Sequence, residues 1–256
     1  MVGTSESRRR KMLTELMARA GQAALRGTPP NGKDYWAARF WDRESAERHP
    51  LLGDDFLLQK ETIGAYLTRY GWDRRKSIEF ACGTGEFTAM TAKLTAVERM
   101  VAVDISQQGL AIARSRVDHP SAEFIHGDFW ADNAIGTADL VICVDAIHHL
   151  GDVGQVLSRI RSFLEPGGIF VGNLWTADNF HEFQRRRYGA AEHLARTAMF
   201  LGTALMIKCT NGRLRTGSYR TQLRRSEETV AILHDVFDAV LEVDTNRYFM
   251  SFVCRA

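Results

Sequence analysis

The run Ser77-Ile78-Glu79-Phe80-Ala81-Cys82-Gly83-Thr84-Gly85-Glu86-Phe87-Thr88, with Val101-Ala102-Val103-Asp104 downstream, constrains the fold more than any other stretch of the chain. It reads as an apolar strand, a tight glycine turn and a helix start, followed by a second strand ending in an acid. Glycines at 83 and 85 let the backbone turn sharply and approach a ligand closely. Asp104 lies 19 positions after Gly85, where a carboxylate can accept from both hydroxyls of a ribose. The pattern specifies a nucleotide-type pocket and a ligand that carries an adenosine. Thr88 stands where a dinucleotide fingerprint places its third glycine, which counts against a nicotinamide-dependent dehydrogenase.

Farther along, short runs rich in Val, Ile and Phe alternate with amphipathic stretches, as parallel strands joined by helices do, and ligands of such sheets sit at the carboxyl ends of the strands. Ser226 followed by Glu227 and Glu228 reads as a helix N-cap with an acidic first turn, and Ala231, Leu233 and Val236 give that helix an apolar face. Residues 237–254 offer two strands around Asn246, close enough to pair antiparallel. At 256 residues and 45% hydrophobic composition the chain suffices for one α/β domain with additions.

Glu79, Gly83 and Gly85 resemble the first motif of the class I S-adenosylmethionine-dependent methyltransferases, although Ala81 stands where that family often has glycine. The likeness continues in order over roughly residues 60–175 and 226–256. Asp104 and the following Ile105 look like the family's ribose-binding position, and Phe124-Ile125-His126-Gly127-Asp128-Phe129 like its third strand, with Asp128 against the adenine amino group and Phe129 beside it. Residues 138–145 followed by Ala146-Ile147-His148-His149-Leu150 resemble the fourth strand and the loop facing the methyl donor, which puts Asp145 in the cofactor pocket. Leu164-Glu165-Pro166-Gly167-Gly168 resembles the turn into the fifth strand.

The resemblance implies a doubly wound, Rossmann-like, seven-stranded and mostly parallel sheet with an antiparallel last strand, S-adenosyl-L-methionine as cofactor, and S-adenosyl-L-homocysteine as product. A sulfonium methyl is already electrophilic, so such an enzyme chiefly holds a nucleophile in line with it and excludes water. His149 and His148 are the candidate general bases, with His149 the nearer to the cofactor. Asp145 with Asp178-Asn179 superficially matches the magnesium ligands of catechol-type members, but the Asp-Asn pair comes too late in the sequence, and no metal is expected.

Charge is unevenly spread behind a net +2. Between residues 185 and 225 stand ten Lys or Arg and one acid, Glu192. The fold needs only a short connection there, so a basic helical lid over about 176–225 is expected, with Arg186, Arg187 and Tyr188 as acceptor-binding residues because Arg pairs well with carboxylate or phosphate. Residues 1–60 are expected to form a helical arm and a cofactor-covering segment ahead of a domain at 61–256. In the arm, residues 6–26 form a basic amphipathic helix with Met12, Leu13, Leu16, Met17 and Ala20 on one side, which packs on the domain or on a second subunit, making a homodimer a candidate assembly. After the break at Thr28-Pro29-Pro30-Asn31-Gly32, Tyr35-Trp36-Ala37-Ala38-Arg39-Phe40-Trp41 looks like a segment closing over the methionine end of the cofactor, with Trp36 and Arg39 on one helix face.

Four cysteines without a CxxC pair, no secretory signal and no membrane-length apolar run point to the cytoplasm. The expected activity is methyl transfer to O, N or C of a small molecule, anionic or amphipathic, in specialised metabolism. RNA or another macromolecular acceptor is the competing reading, and a non-catalytic cofactor-binding module the third.

Overall fold

A computed structural model describes residues 3–26, 32–40, 42–50, 53–94, 96–131, 134–211, 213–214, 223–245 and 249–256. Four helices lead in: α1 (Gly3–Leu25), α2 (Gly32–Ala37), α3 (Arg43–Glu47) and α4 (Gly53–Tyr70). Strands and helices then alternate as β1 (Lys76–Phe80), α5 (Glu86–Thr91), β2 (Arg99–Asp104), α6 (Gln107–Arg116), β3 (Ala122–His126), β4 (Ala138–Cys143), α7 (Ile147–Leu150), α8 (Val153–Ser162) and β5 (Leu164–Trp175). The long α9 (Ala177–Cys209), α10 (Ser226–Val236), β6 (Ala239–Asp244) and β7 (Phe249–Arg255) complete the chain.

The strands form one sheet in the order β3-β2-β1-β4-β5-β7-β6. Pairing is parallel from β3 through β5, whereas β7 runs antiparallel to both β5 and β6. Strand order reverses between β1 and β4, which is where a doubly wound sheet opens a crevice. Both faces are covered, so β2 and β4 read as nearly continuous apolar runs, while β1 keeps Ser77 and Glu79 buried between Ile78 and Phe80. Successive residues point to opposite faces: Val141, Phe170 and Phe252 pack with α8 and α10, while Leu140, Ile142 and Val171 pack with α4 and α5. Each fully buried Phe or Leu of this kind contributes roughly 1.5–3 kcal/mol.

Several expectations are corrected. Residues 60 and 61 lie in the middle of α4, whose buried Phe56, Gln59, Ile63 and Leu67 make one continuous face, so the arm ends before Gly53 rather than at 60. Ser226 is the first residue of α10, not its cap; its N–H donates to Asp178 Oδ1 at 3.0 Å and its hydroxyl to Thr176 Oγ1 at 3.0 Å. Asn246 and Trp41 lie outside the described residues.

The arm itself packs by a different face from the one its apolar residues suggest. In α1 the buried positions are Thr14, Ala18, Gly21 and Leu25, and they meet α9 along His193, Thr197, Ala204 and Ile207. The α1 set recurs at alternating intervals of four and three, and the α9 set at four, seven and three, the spacing of a helix–helix seam. Gly21 is required there because a Cβ would overlap the Phe200 ring. Small residues let the two backbones approach, and Met12, Leu13 and Leu16 are left facing outward.

Gly85 shows what the turn after β1 demands. It caps α5 at φ 75°, and a Cβ there would stand 2.8 Å from Ala113 Cβ on α6. Gly85→Ala should therefore incur left-handed strain of about 1–2 kcal/mol plus displacement of α6. Thermal melting is expected to fall by roughly 2–4 °C per kcal/mol lost, with an unchanged melt refuting the close approach.

Candidate functional site

At the carboxyl ends of β1, β2 and β4 lies a cavity of about 480 Å³, bordered on its outer side by Tyr35, Trp36, Arg39, Phe40 and Arg43. Its floor is the turn after β1, where Ala81 (φ 53°), Gly83 (φ 55°) and Gly85 (φ 75°) all take left-handed backbone conformations. Nothing lies within 4 Å of where a Gly83 side chain would start, so that glycine is needed for its backbone angle. Ala81 adopts the same region with a Cβ, at a strain that glycine would avoid.

Asp104 braces this turn. The Gly83 N–H donates to its Oδ2 at 2.8 Å and the Ser106 N–H to its Oδ1 at 2.7 Å. Each oxygen retains a second lone pair, so the carboxylate can hold the turn and still accept from a ligand. Burial raises its pKa despite those backbone donors. Two further carboxyl groups line the cavity and are perturbed more. Glu79 is pushed up to about 8 by burial, and accepts a hydrogen bond from the Thr88 hydroxyl at 2.5 Å. Asp145 is raised to about 7, again by burial, with the Arg43 charge and the adjacent Trp175 side chain opposing the rise. Its own φ is 59°, and among the described residues its buried Oδ1 has no hydrogen-bond partner.

The opposite wall is aromatic. His149 lines the cavity with its ring centroid 5.6 Å from Trp36 and 6.2 Å from Trp175. His148 is buried behind it, stacked on Trp175 at 5.1 Å, and its Nδ1 accepts from the Trp175 N–H at 3.4 Å. Burial lowers both histidine pKa values, His148 to about 3 and His149 well below the usual range, the latter also through the charge of His148. The expected near-neutral base is thus a neutral imidazole of weakened basicity. At the far end Ile105, Asp128, Phe129 and Trp130 line the cavity; Asp128 Oδ1 accepts from the Trp130 N–H at 3.0 Å, and the Trp130 indole donates to the Leu150 carbonyl at 2.8 Å.

Residues 78–168 match the family model described as a methyltransferase domain. A malonyl-[acyl-carrier protein] O-methyltransferase of Halalkalibacterium halodurans is 28% identical over 125 residues, 47% of this chain and 46% of that one. The arginine hydroxylase NDUFAF5 of Rattus norvegicus is 26% identical over 200 residues, covering 69% and 57%. Among solved structures, magnesium protoporphyrin IX methyltransferase from Synechocystis PCC 6803 with bound S-adenosylhomocysteine superposes with a TM-score of 0.59 at 15% identity, over 87% of this chain and 96% of that one. Residues 78–168 thus match a methyltransferase domain, and the sheet that carries them has the fold of that S-adenosylhomocysteine-bound methyltransferase. The chain spans about half the length of the curated relatives it matches.

Eleven of the sequence-selected residues line one cavity: Glu79, Ala81, Gly83, Asp104, Ile105, Asp128, Phe129, Asp145 and His149, with Trp36 and Arg39 from the covering segment. Arg39 does so from beyond the end of α2 rather than from one helical face with Trp36; its guanidinium folds back over the Tyr35 ring at 4.4 Å. Gly85 shapes the turn from outside the cavity, and His148 lies behind its wall.

The acceptor assignment is corrected. Arg186, Arg187 and Tyr188 do not line the cavity: the two arginines are exposed on α9, Arg186 facing Glu182, while Tyr188 receives the guanidinium of Arg196 over its ring at 3.9 Å. The expected basic lid is, in its described part, a helix kinked at Gly189 whose far half pairs with α1 instead of roofing the site. Asp178 is engaged in holding the start of α10.

Arg43 is the residue that sequence reasoning missed. It is buried at the cavity wall and donates to Glu47 Oε1 at 2.9 Å, Gln59 Oε1 at 2.8 Å and the Phe56 carbonyl at 2.8 Å. Its sequence signal, a glutamate four residues on, is that of an ordinary surface ion pair. Arg43→Met should cost about 3–5 kcal/mol in urea unfolding by orphaning these acceptors, and should raise the pKa of Asp145 above about 7 because Arg43 is the main influence opposing its rise. A neutral effect on both would show that the guanidinium is a bystander.

Glu79 makes stability depend on pH. In the folded, ligand-free protein it keeps its proton to about pH 8, whereas the unfolded chain loses it near 4.5. Between those values the folded state binds more protons, so its stability falls as pH rises, by at most roughly 1.4 kcal/mol per pH unit. Glu79→Gln should match wild type near pH 4 and exceed it at pH 8 in urea titrations. Parallel pH profiles for the two proteins would contradict a protonated Glu79.

Proposed function

We propose that the protein transfers the methyl group of S-adenosylmethionine to a small-molecule acceptor, and that the acceptor is an apolar body bearing an anionic group. The observation that carries this reading is the enclosed cavity in which three buried carboxyl groups, Glu79, Asp104 and Asp145, face an aromatic wall. Burial raises these carboxyl pKa values, so the pocket gains by receiving a cationic ligand that favours their ionised forms. The cofactor fits: its ribose hydroxyls suit Asp104, its adenine amino group Asp128, and its charged methionine end the Glu79 and Asp145 side. When bound, S-adenosylmethionine supplies an already electrophilic methyl group.

What the chain must then supply is position and dryness. Trp36 and Trp175 with His149 bound the chamber where an acceptor would be held, and the covering segment excludes water. His149, neutral and weakly basic, suits acceptors that arrive deprotonated or lose a proton readily. The cavity's arginines among the described residues are Arg39 and Arg43. Arg43 is fully engaged, which leaves exposed Arg39 to meet an acceptor's carboxylate or phosphate. The free thiols of Cys82, Cys143, Cys209 and Cys254 support placing this activity in the reducing cytoplasm.

A second reading follows from the NDUFAF5 relative, named as a hydroxylase over much of the matching chain. Product analysis separates the two. Titration calorimetry should show S-adenosylmethionine binding that Asp104→Ala weakens at least tenfold, and a pool of anionic small molecules should yield S-adenosylhomocysteine with one methylated product. Absence of binding by folded wild type free of copurified cofactor would overturn the proposal; binding with turnover only to a hydroxylated product would favour the second reading.

A further inference from the structure

We propose that the outward face of α1, in the α1–α9 hairpin, docks the protein on an anionic lipid bilayer surface. The inference rests on the hairpin alone and is independent of the acceptor assigned above. The seam between the two helices consumes their small and polar residues, Thr14, Ala18 and Gly21 against His193, Thr197 and Ala204. The large apolar side chains are thereby turned outward. On α1, Met12 is 67% exposed, Leu16 64% and Leu13 47%; on α9, Met199 is 65% and Leu205 48% exposed. At 3.6 residues per turn, Met12 and Leu16 lie one turn apart on the side opposite the Thr14–Leu25 seam. On α9 the eleven residues from Thr197 to Ile207 include no charge. The outward stripe of Met12 and Leu16 on α1, with Leu13 beside it, is an apolar surface of the kind that marks an interaction site.

The rim of this band identifies the partner. Arg8, Arg9 and Arg19 are exposed on α1, and Arg196 and Lys208 on α9. Of the acids whose side chains are described, Glu15 on α1 is turned toward Arg185 at 3.7 Å, whereas on α9 Glu192 pairs with Arg196 at the surface at 2.8 Å, so the basic excess of the rim lies on α1. A second copy of the hairpin, meeting it across a two-fold axis, would set basic rim against basic rim. An anionic headgroup layer complements the same rim while its acyl boundary takes up the apolar band. No helix among the described residues is long and apolar enough to cross a membrane, so the hairpin would lie in the interface plane.

The test is sedimentation of the full chain with phosphatidylcholine vesicles, with and without phosphatidylglycerol. Wild type is expected to partition at least tenfold more strongly onto the anionic vesicles, and added salt to weaken it. Met12→Glu/Leu16→Glu should lower that partition at least tenfold with an unchanged melting temperature. Arg8→Gln/Arg9→Gln/Arg19→Gln, which keeps the apolar band, should abolish the preference for anionic lipid. Equal partition onto both vesicle types, or partition untouched by either variant, would overturn the proposal. So would a stable dimer in sedimentation equilibrium that Met12→Glu/Leu16→Glu dissociates, since the band would then be covered by a second copy. Loss of S-adenosylmethionine binding in wild type would refute the proposed enzyme and leave this result standing.

Discussion

Arg43 donates inward from its three nitrogens, to Glu47, Gln59 and the Phe56 carbonyl, and from Gln59 a buried chain of side-chain amides runs on into the sheet. The Gln59 amide donates to Asn173 Oδ1 at 2.7 Å, and the Asn173 amide to Ser251 Oγ at 2.7 Å, so a residue before the first strand is tied to β5 and β7. Asn173 also receives the Asp145 N–H on its carbonyl at 3.2 Å, which fixes the strained corner that carries Asp145. Removing a guanidinium from water costs several kcal/mol, recovered only when its donors are satisfied. Here the partners come from α3 and α4 and, through Gln59, from the sheet, so the charge is comfortable only when the covering segment sits on the cavity. The closed wall thus follows from where a charge can be buried.

The same desolvation sets the electrostatics inside. Arg43 is held by its own partners, and the buried carboxyl groups Glu79, Asp104 and Asp145 at the cavity are all shifted toward the protonated form. A pocket in that condition is poised for a cation, because a positive ligand restores the ionised carboxylates and gains the interaction that burial withheld. Around the turn, Arg116 reaches from the end of α6 to Thr84 Oγ1 at 3.0 Å and Glu86 Oε2 at 3.1 Å, and toward Glu44 on α3. The floor and the cover are therefore cross-linked by charge around the turn and by the buried amide chain behind Arg43.

The sheet was legible because its signals are local. Alternating apolar runs, a glycine turn and an acid at each strand end depend on neighbours within a few residues, and the structure places Glu79, Gly83, Asp104, Asp128 and Asp145 accordingly. Arg43 was not legible, since its importance depends on Gln59, Asn173 and Ser251, which meet it only after the sheet has formed. Arg186 and Arg187 misled for the complementary reason: a basic cluster states that charge is available without stating which way a helix faces. The direction of α9 is decided by its seam with α1, residues distant in sequence.

That seam also explains why the apolar stripe of α1 pointed the wrong way. Amphipathicity assigns the large hydrophobic side chains inward, on the premise that burial of area decides helix orientation. Close helix pairing follows a second rule, in which small residues at three- and four-residue intervals admit a neighbouring backbone and its ring, as Gly21 admits Phe200. With Met12 and Leu16 as the alternative, the short seam wins because α9 offers a matching row at Thr197, Ala204 and Ile207, whose partners must be equally shallow. A helix that satisfies its packing with small residues keeps its large ones for another surface, and that division between inner seam and outer band separates a helix that merely caps a fold from one that can carry the fold to a partner.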